Sequence, residues 1–195
     1  MTPTCRKLAL PAAVILAAIG GITTLDAQAP PAAEALGQTD RAALRKELFQ
    51  ALKQARNEAE AHAAESRIWA FWMQGPDKQA TEQIQAILAA RRADDYDKAL
   101  QIAEALVARR PDYAEGWNQK ATLLFLKGDF DGSLKAIARV LALEPKHFGA
   151  LAGKAVILMQ QGHMQLAQST LRKAVAIDPF LNERGLLIEP KGLPI

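Results

Sequence analysis

Apolar side chains recur at helical spacing through most of this chain, while Val, Ile and Thr never gather into alternating runs. That pattern predicts helix throughout. After Asp40, a stripe forms from Leu44, Leu48, Ala51, Leu52 and Ala55, and Thr39 or Asp40 can accept the free first-turn N–H groups. Asn57 followed by Glu60 resembles a capping box, so a second helix is predicted from there, carrying Ala61, Ala64, Ile68, Trp69 and Trp72. Gly75-Pro76 stops it. One unbroken helix over 41–73 is the alternative. Two short helices bury Leu44, Leu48 and the aromatic cluster against each other, so a helical hairpin over 40–75 is the expectation.

From residue 80 the pattern becomes periodic. Pro111, Pro145 and Pro179 recur every thirty-four residues, and the positions between them stay in phase. Three units follow: 80–113, 114–147 and 148–181. Each reads as helix, turn, helix, with the turns at Asp95-Tyr96, Gly128-Asp129-Phe130 and Gly162. Two helices cross closely only where side chains are small, and Ala121/Ser133 and Ala155/Ala167 supply that contact. The proline ends the second helix because it lacks an N–H and its ring clashes with the preceding turn. The first unit is the most degenerate, with Ile87 at the small-residue position and Ala90 where the other units carry Leu124 and Leu158.

Trp117, Ala121, Leu124, Gly128-Asp129-Phe130, Ser133, Ile137, Val140 and Pro145 together resemble one tetratricopeptide (TPR) unit. The resemblance covers 80–181. It implies an all-α fold, a right-handed α-solenoid of three TPR helix hairpins preceded by the N-terminal helical hairpin. On this expectation Trp69, Phe71 and Trp72 seal the first repeat, a ligand-stacking role being the competing one. Glu115-Gly116-Trp117-Asn118, Ala121-Thr122 and His147-Phe148-Gly149-Ala150-Leu151 are more narrowly similar to small exported proteobacterial TPR proteins of unassigned activity.

In such stacks the first helix of each unit lines a concave groove through its fifth, ninth and twelfth positions. The resemblance places there Ile84, Leu88 and Arg91; Asn118, Thr122 and Phe125; and Ala152, Val156 and Met159. Chaperone-binding TPR proteins clamp a C-terminal carboxylate with Lys, Arg and Asn at such places. Here only Asn118 remains among mostly apolar residues. An extended or helical apolar peptide is therefore the expected client, held by Phe125 and Met159 and oriented by Asn118 and Arg91. The competing occupant is the protein's own tail or N-terminal hairpin.

Residues 1–27 read as a secretory signal peptide: Arg6 and Lys7 precede the apolar run from Leu8 to Ile19, and cleavage is expected after Ala27, with Ala29 the other site. An uncleaved membrane anchor competes, but Pro11, Gly20 and Gly21 interrupt a stretch barely long enough to span. A periplasmic or secreted location follows, with the membrane touched only in transit. The single Cys5 allows no disulfide framework and no thiolate metal site. Residues 28–39, rich in Pro, Ala and Gly, read as a flexible linker. The tail 182–195 mixes Leu186, Leu187, Ile188, Leu193 and Ile195 with glycine and proline, too broken for a capping helix. Its apolar residues must pack on the last repeat, fold into the groove or meet a partner.

A net charge of +3 is too small and dispersed to argue for nucleic acid. No HExxH, GxSxG, P-loop or GxGxxG pattern occurs. His62, His147 and His163 lie on separate predicted elements, the last two as solvated turn residues. Asp94, Asp95 and Asp97, and again Asp129 and Asp131, sit where such a turn needs helix caps. The expectation is a non-enzymatic adaptor without cofactor or metal, acting in envelope assembly or cytochrome maturation. A self-associating structural protein, a homodimer through its exposed end repeat, is the alternative.

Overall fold

The structure, a computed structural model, describes residues 38–188. Among these there are eight α-helices and no strand. Helices α1 (Gln38–Gln54) and α2 (Glu58–Met73) form the N-terminal hairpin. Then come α3 (Lys78–Arg92) with α4 (Tyr96–Arg109), α5 (Ala114–Leu126) with α6 (Phe130–Leu143), and α7 (Phe148–Gln160) with α8 (Met164–Ile177). A 3₁₀ turn, Asn182–Leu186, follows. The signal-peptide reading, nearly all of the 28–39 linker and the tail beyond 188 lie outside the described residues. Helix α1 begins at Gln38, two residues inside that linker, and no described helix is long and apolar enough to cross a membrane.

Local chemistry places these breaks. Asn57 separates α1 from α2 as expected: its side chain accepts the Glu60 N–H at 2.9 Å and caps α2. Asp77 caps α3 through the Ala80 N–H at 2.7 Å. Hydrogen bonds from Arg109, the Ala80 N–H and Arg110 hold its carboxyl down at about 2. Asp95 and Asp129 accept the N–H groups of Lys98 and Gly132, so these acids are the helix caps that the repeat requires. The turn between paired helices needs a left-handed residue. Gly128 (φ 79°) and Gly162 (φ 81°) supply it, and Asp94 (φ 56°) takes the same place in the first unit.

Within each unit the two helices pack through the small residues. Ala121, Ala155 and Ala167 are at most 3 % exposed, and the buried Ser133 hydroxyl donates to the Ala121 carbonyl at 2.8 Å.

The hairpin does not seal the outer face of the first repeat. Helix α2 lies across the connections that join one unit to the next, and it meets the same repeat position three times. The hydroxyl of Tyr113 donates to the Trp72 carbonyl at 2.6 Å. His147, thirty-four residues on, stacks flat on Trp72 with ring centroids 3.9 Å apart and planes 7° apart. Leu181, a further thirty-four on, is buried in the same apolar cluster as Ala61, Ala64, Ile68 and Trp72. Three residues before each of these stand Arg110, Glu144 and Asp178; Glu144 pairs with Arg45 of α1, and Asp178 faces Glu65 of α2. The physical reason is geometric. Adjacent repeats lie about 10 Å apart, close to the rise of seven helical residues, so one helix face can address successive connections.

Apolar burial drives this docking. Leu48, Leu52, Ile68 and Trp72 are each at most 4 % exposed, and burial of such a side chain is worth about 1.5–3 kcal/mol. The flanking pairs Arg67–Glu47 and Arg56–Glu60 are solvent-exposed and, screened by water, contribute little. The outer face of α3, freed of the hairpin, shows Glu82, Gln85 and Arg92 to solvent and is polar enough to stand alone.

Candidate partner-binding site

Five of the nine residues expected along an open groove are buried: Ile84 (0 % exposed), Asn118 (8 %), Phe125 (8 %), Ala152 (2 %) and Val156 (3 %). They cannot touch a client unless helices part. Ile84 belongs to the core of the first repeat with Ala80, Ile87 and Leu106. Phe125 and Val156 share an apolar cluster with Ala121 and Ile157, where α5 faces α7. The cleft left beside Asn118 and Phe125, lined also by Gly149 and Gly153, is only about 40 Å³, room for about one water. Ala152 is buried in the cluster that holds the hairpin. Leu88, Arg91, Thr122 and Met159 remain partly exposed.

The polar members of the set are engaged internally. Asn118 Nδ2 donates to the Glu115 carboxylate at 3.2 and 3.3 Å, and Gln119 Nε2 donates to it at 2.6 Å. Gln119 Oε1 in turn accepts from Arg91 at 3.1 Å, and burial lowers the pKa of that guanidinium. His147 Nδ1 accepts the Ala150 N–H at 3.1 Å, which leaves Nε2 to donate to Glu115 at 3.2 Å. Imidazole and carboxylate are both fully buried.

His147 is therefore no solvated turn residue. It caps α7, closes a buried network and carries Trp72 on its ring face and Trp69 at its edge. His62, paired with Glu65, and His163 are exposed and lie on other elements. Sequence reasoning passed over Glu115 and His147 because one charged and one ring residue near a helix start look like ordinary caps. The available signal was their phase: position 34 of successive units is Tyr113, His147 and Leu181, all with bulk to bury.

The seat of Trp69 is shaped by Gly149. A Cβ there would fall 2.7 Å from the Trp69 ring, so Gly149→Ala is expected to push the indole off the connection. Overpacking of this kind costs about 1–3 kcal/mol. Thermal denaturation checks it, and an unchanged midpoint would show that Trp69 is free to move.

At the far end of α2, Asp178 is fully buried and its Oδ2 has no hydrogen-bond partner. Burial first, and then Glu65, raise its pKa to about 8. Glu183 is raised by burial as well, while Arg184, which pairs with Glu58, opposes the shift at Asp178. Burial favours the neutral, protonated form of the Asp178 carboxyl. The folded chain thus keeps a proton that the unfolded chain has lost above pH 3.8. Stability from this group is complete below that pH and is lost as pH rises through about 8. The melting temperature should fall between pH 6 and pH 9, and Asp178→Asn should flatten the fall. A wild-type profile level across that range would refute the raised Asp178 pKa.

The 182–188 stretch packs on the last repeat. Gln168 donates to the Leu186 carbonyl at 2.9 Å and accepts the Ile188 N–H at 2.8 Å, so one side-chain amide grips an extended backbone from both sides. Leu186 and Leu187 are half-buried there, while Ile188 is exposed.

Comparison with known proteins agrees with the geometry. Two tetratricopeptide repeat profiles match residues 84–134 and 124–184. A TPR repeat-containing protein of Rhizobium etli is 34 % identical over 133 residues, a match that covers 68 % of this chain and 65 % of that protein. This chain thus spans just under two thirds of its relative's length.

Proposed function

Because the chain belongs to the tetratricopeptide repeat superfamily, we propose that it is a non-enzymatic scaffold of the bacterial envelope that binds another protein. The observation that carries this reading is a row of partly exposed side chains on the first helices of all three units. Leu88 and Arg91 stand on α3, Thr122 on α5 and Met159 on α7, and proteins of this superfamily bind partners on that face. An apolar segment is the client that suits Leu88 and Met159, and envelope complex assembly or cytochrome maturation is the setting that suits an exported protein. The signal-like residues 1–27 support the envelope location.

A photo-cross-linking residue placed at Leu88 or Met159, in the native host, tests the binding face. The same protein should be captured from both positions and not from exposed Lys98 on α4. Equal capture at Lys98, or none from either position, rejects the face. For location, intact mass of the envelope fraction should give a chain beginning at Gln28, and a cytoplasmic, uncleaved chain rejects export. Phe125→Glu is a poor probe of binding, because Phe125 is buried and its loss would unfold the stack.

Self-association is the second reading, favoured by one observation. Met164, Leu166 and Ile188, on and beside the last helix, are 43 %, 53 % and 57 % exposed. Light scattering after size exclusion decides it: a monomer at micromolar concentration removes this reading.

A further inference from the structure

A cleft of about 340 Å³ lies between the start of α1, the end of α2 and the two connections at Tyr113 and Glu144. It is distinct from the row on α3, α5 and α7. Three features of its lining are unaccounted for by the fold. Arg41 is half-buried, donates only to the carbonyls of Phe71 (3.2 Å) and Gln74 (3.0 Å), and has no carboxylate partner among the described residues. Trp72 lines the cleft with an indole N–H that is buried and lacks an acceptor. Leu143, also in the lining, is 38 % exposed, unusual for a large apolar side chain in this chain.

The other charges in the wall are already matched. Arg45 pairs with Glu144, Asp112 pairs with Arg110, and Glu115 receives Asn118, Gln119 and His147. Among the described residues Arg41 is therefore the surplus charge of the lining, partly stripped of water, and burial lowers its pKa. A guanidinium so placed gains most from a carboxylate, which takes two N–H donors at once. Phe71 and Leu143 offer apolar contact on either side. The rim residues Ala42, Pro76 and Asp112 are exposed, so the cleft is an open trough. A trough suits a chain passing through it, whereas an enclosed small molecule needs burial on most sides.

We propose that this trough binds an acidic side chain of a partner protein, presented between apolar residues, with Arg41 as the anchor. The proposal rests on the protein-binding reading above and adds a second point of contact to it. Arg41 receives the carboxylate, and Leu143 covers the neighbouring apolar residue.

The test uses protein expressed from the full 195-residue chain and an array of immobilised, C-terminally amidated nonapeptides. Each carries a central glutamate flanked by every pairing of Ala, Val, Leu and Phe, and each has a glutamine twin. A subset of the glutamate peptides should bind, with their twins at least tenfold weaker. Arg41→Gln should lose at least tenfold, Arg41→Lys should keep part of the binding, and Leu143→Glu should lose at least fivefold. Leu143 is exposed, so its variant tests the site even where the loss of Arg41 loosens α2. The proposal is overturned by equal binding of the twins, by no binding at all, or by binding that survives both Arg41→Gln and Leu143→Glu. It is overturned as well if peptides bind only after Glu34→Gln, since the protein's own N-terminal segment would then hold the trough. Capture from Leu88 and Met159 with a silent array sinks this inference alone. Array binding without that capture sinks the groove reading and leaves the trough.

Discussion

Replacing Trp72 by alanine is expected to cost about 3–5 kcal/mol, the range for emptying a buried indole site, and to lower the melting midpoint by about 6–20 °C. Trp72 is 4 % exposed and touches three elements. Its ring lies flat on His147, meets Trp69 edge-on at 5.1 Å and Phe148 at 5.2 Å, and packs against Phe49 of α1. No neighbour can close the space, because His147 is held by both ring nitrogens and Phe148 by the core. The indole N–H has no partner within the fold, so Trp72→Phe forfeits ring area and no hydrogen bond. It should cost well under half as much. A midpoint for Trp72→Ala within about 2 °C of wild type would mean that the hairpin contributes little to the stack.

Glu115→Ala is expected to cost a similar amount, about 3–5 kcal/mol, by the different route of leaving buried polar groups unpaired. The carboxylate is 1 % exposed and receives Asn118, Gln119 and His147. Its removal strands all three in a place water does not reach, and Arg91 loses the charge that balances it. Glu115→Gln keeps one acceptor oxygen and should cost less. His147→Ala alone should also destabilise, by removing the α7 cap and the Trp72 stack together. The double variant Glu115→Ala/His147→Ala separates network from sum: coupling of about 0.5–3 kcal/mol is expected between groups that share a hydrogen bond. Strict additivity would show that the two act independently.

Much of the fold was legible because its signals are local. Asn57, Asp95 and Asp129 announce helix starts through a hydrogen bond that spans three residues, and Gly128 and Gly162 announce turns by their backbone freedom alone. The thirty-four-residue phase of Pro111, Pro145 and Pro179 then fixed the number of hairpins. The face of each first helix was less legible. Ile84, Asn118, Phe125, Ala152 and Val156 sit where an open groove was expected, yet neighbouring helices and the hairpin bury them. Whether a helix position is open depends on how close the next helix comes. For Asn118 and Phe125 that depends on α7, the first helix of the next unit.

By itself, the sequence determined what neighbours along the chain can decide: helices, caps, turns and a repeat in register. Only the tertiary structure decided where the N-terminal hairpin goes. Trp72 reaches Tyr113 and His147 across forty-one and seventy-five residues of chain, and no local preference encodes such a meeting. Burial of apolar surface is indifferent to separation along the chain. The hairpin therefore went where its tryptophans found matching cavities, beside Gly149 and on the ring of His147, and that choice closed one face and opened the trough around Arg41.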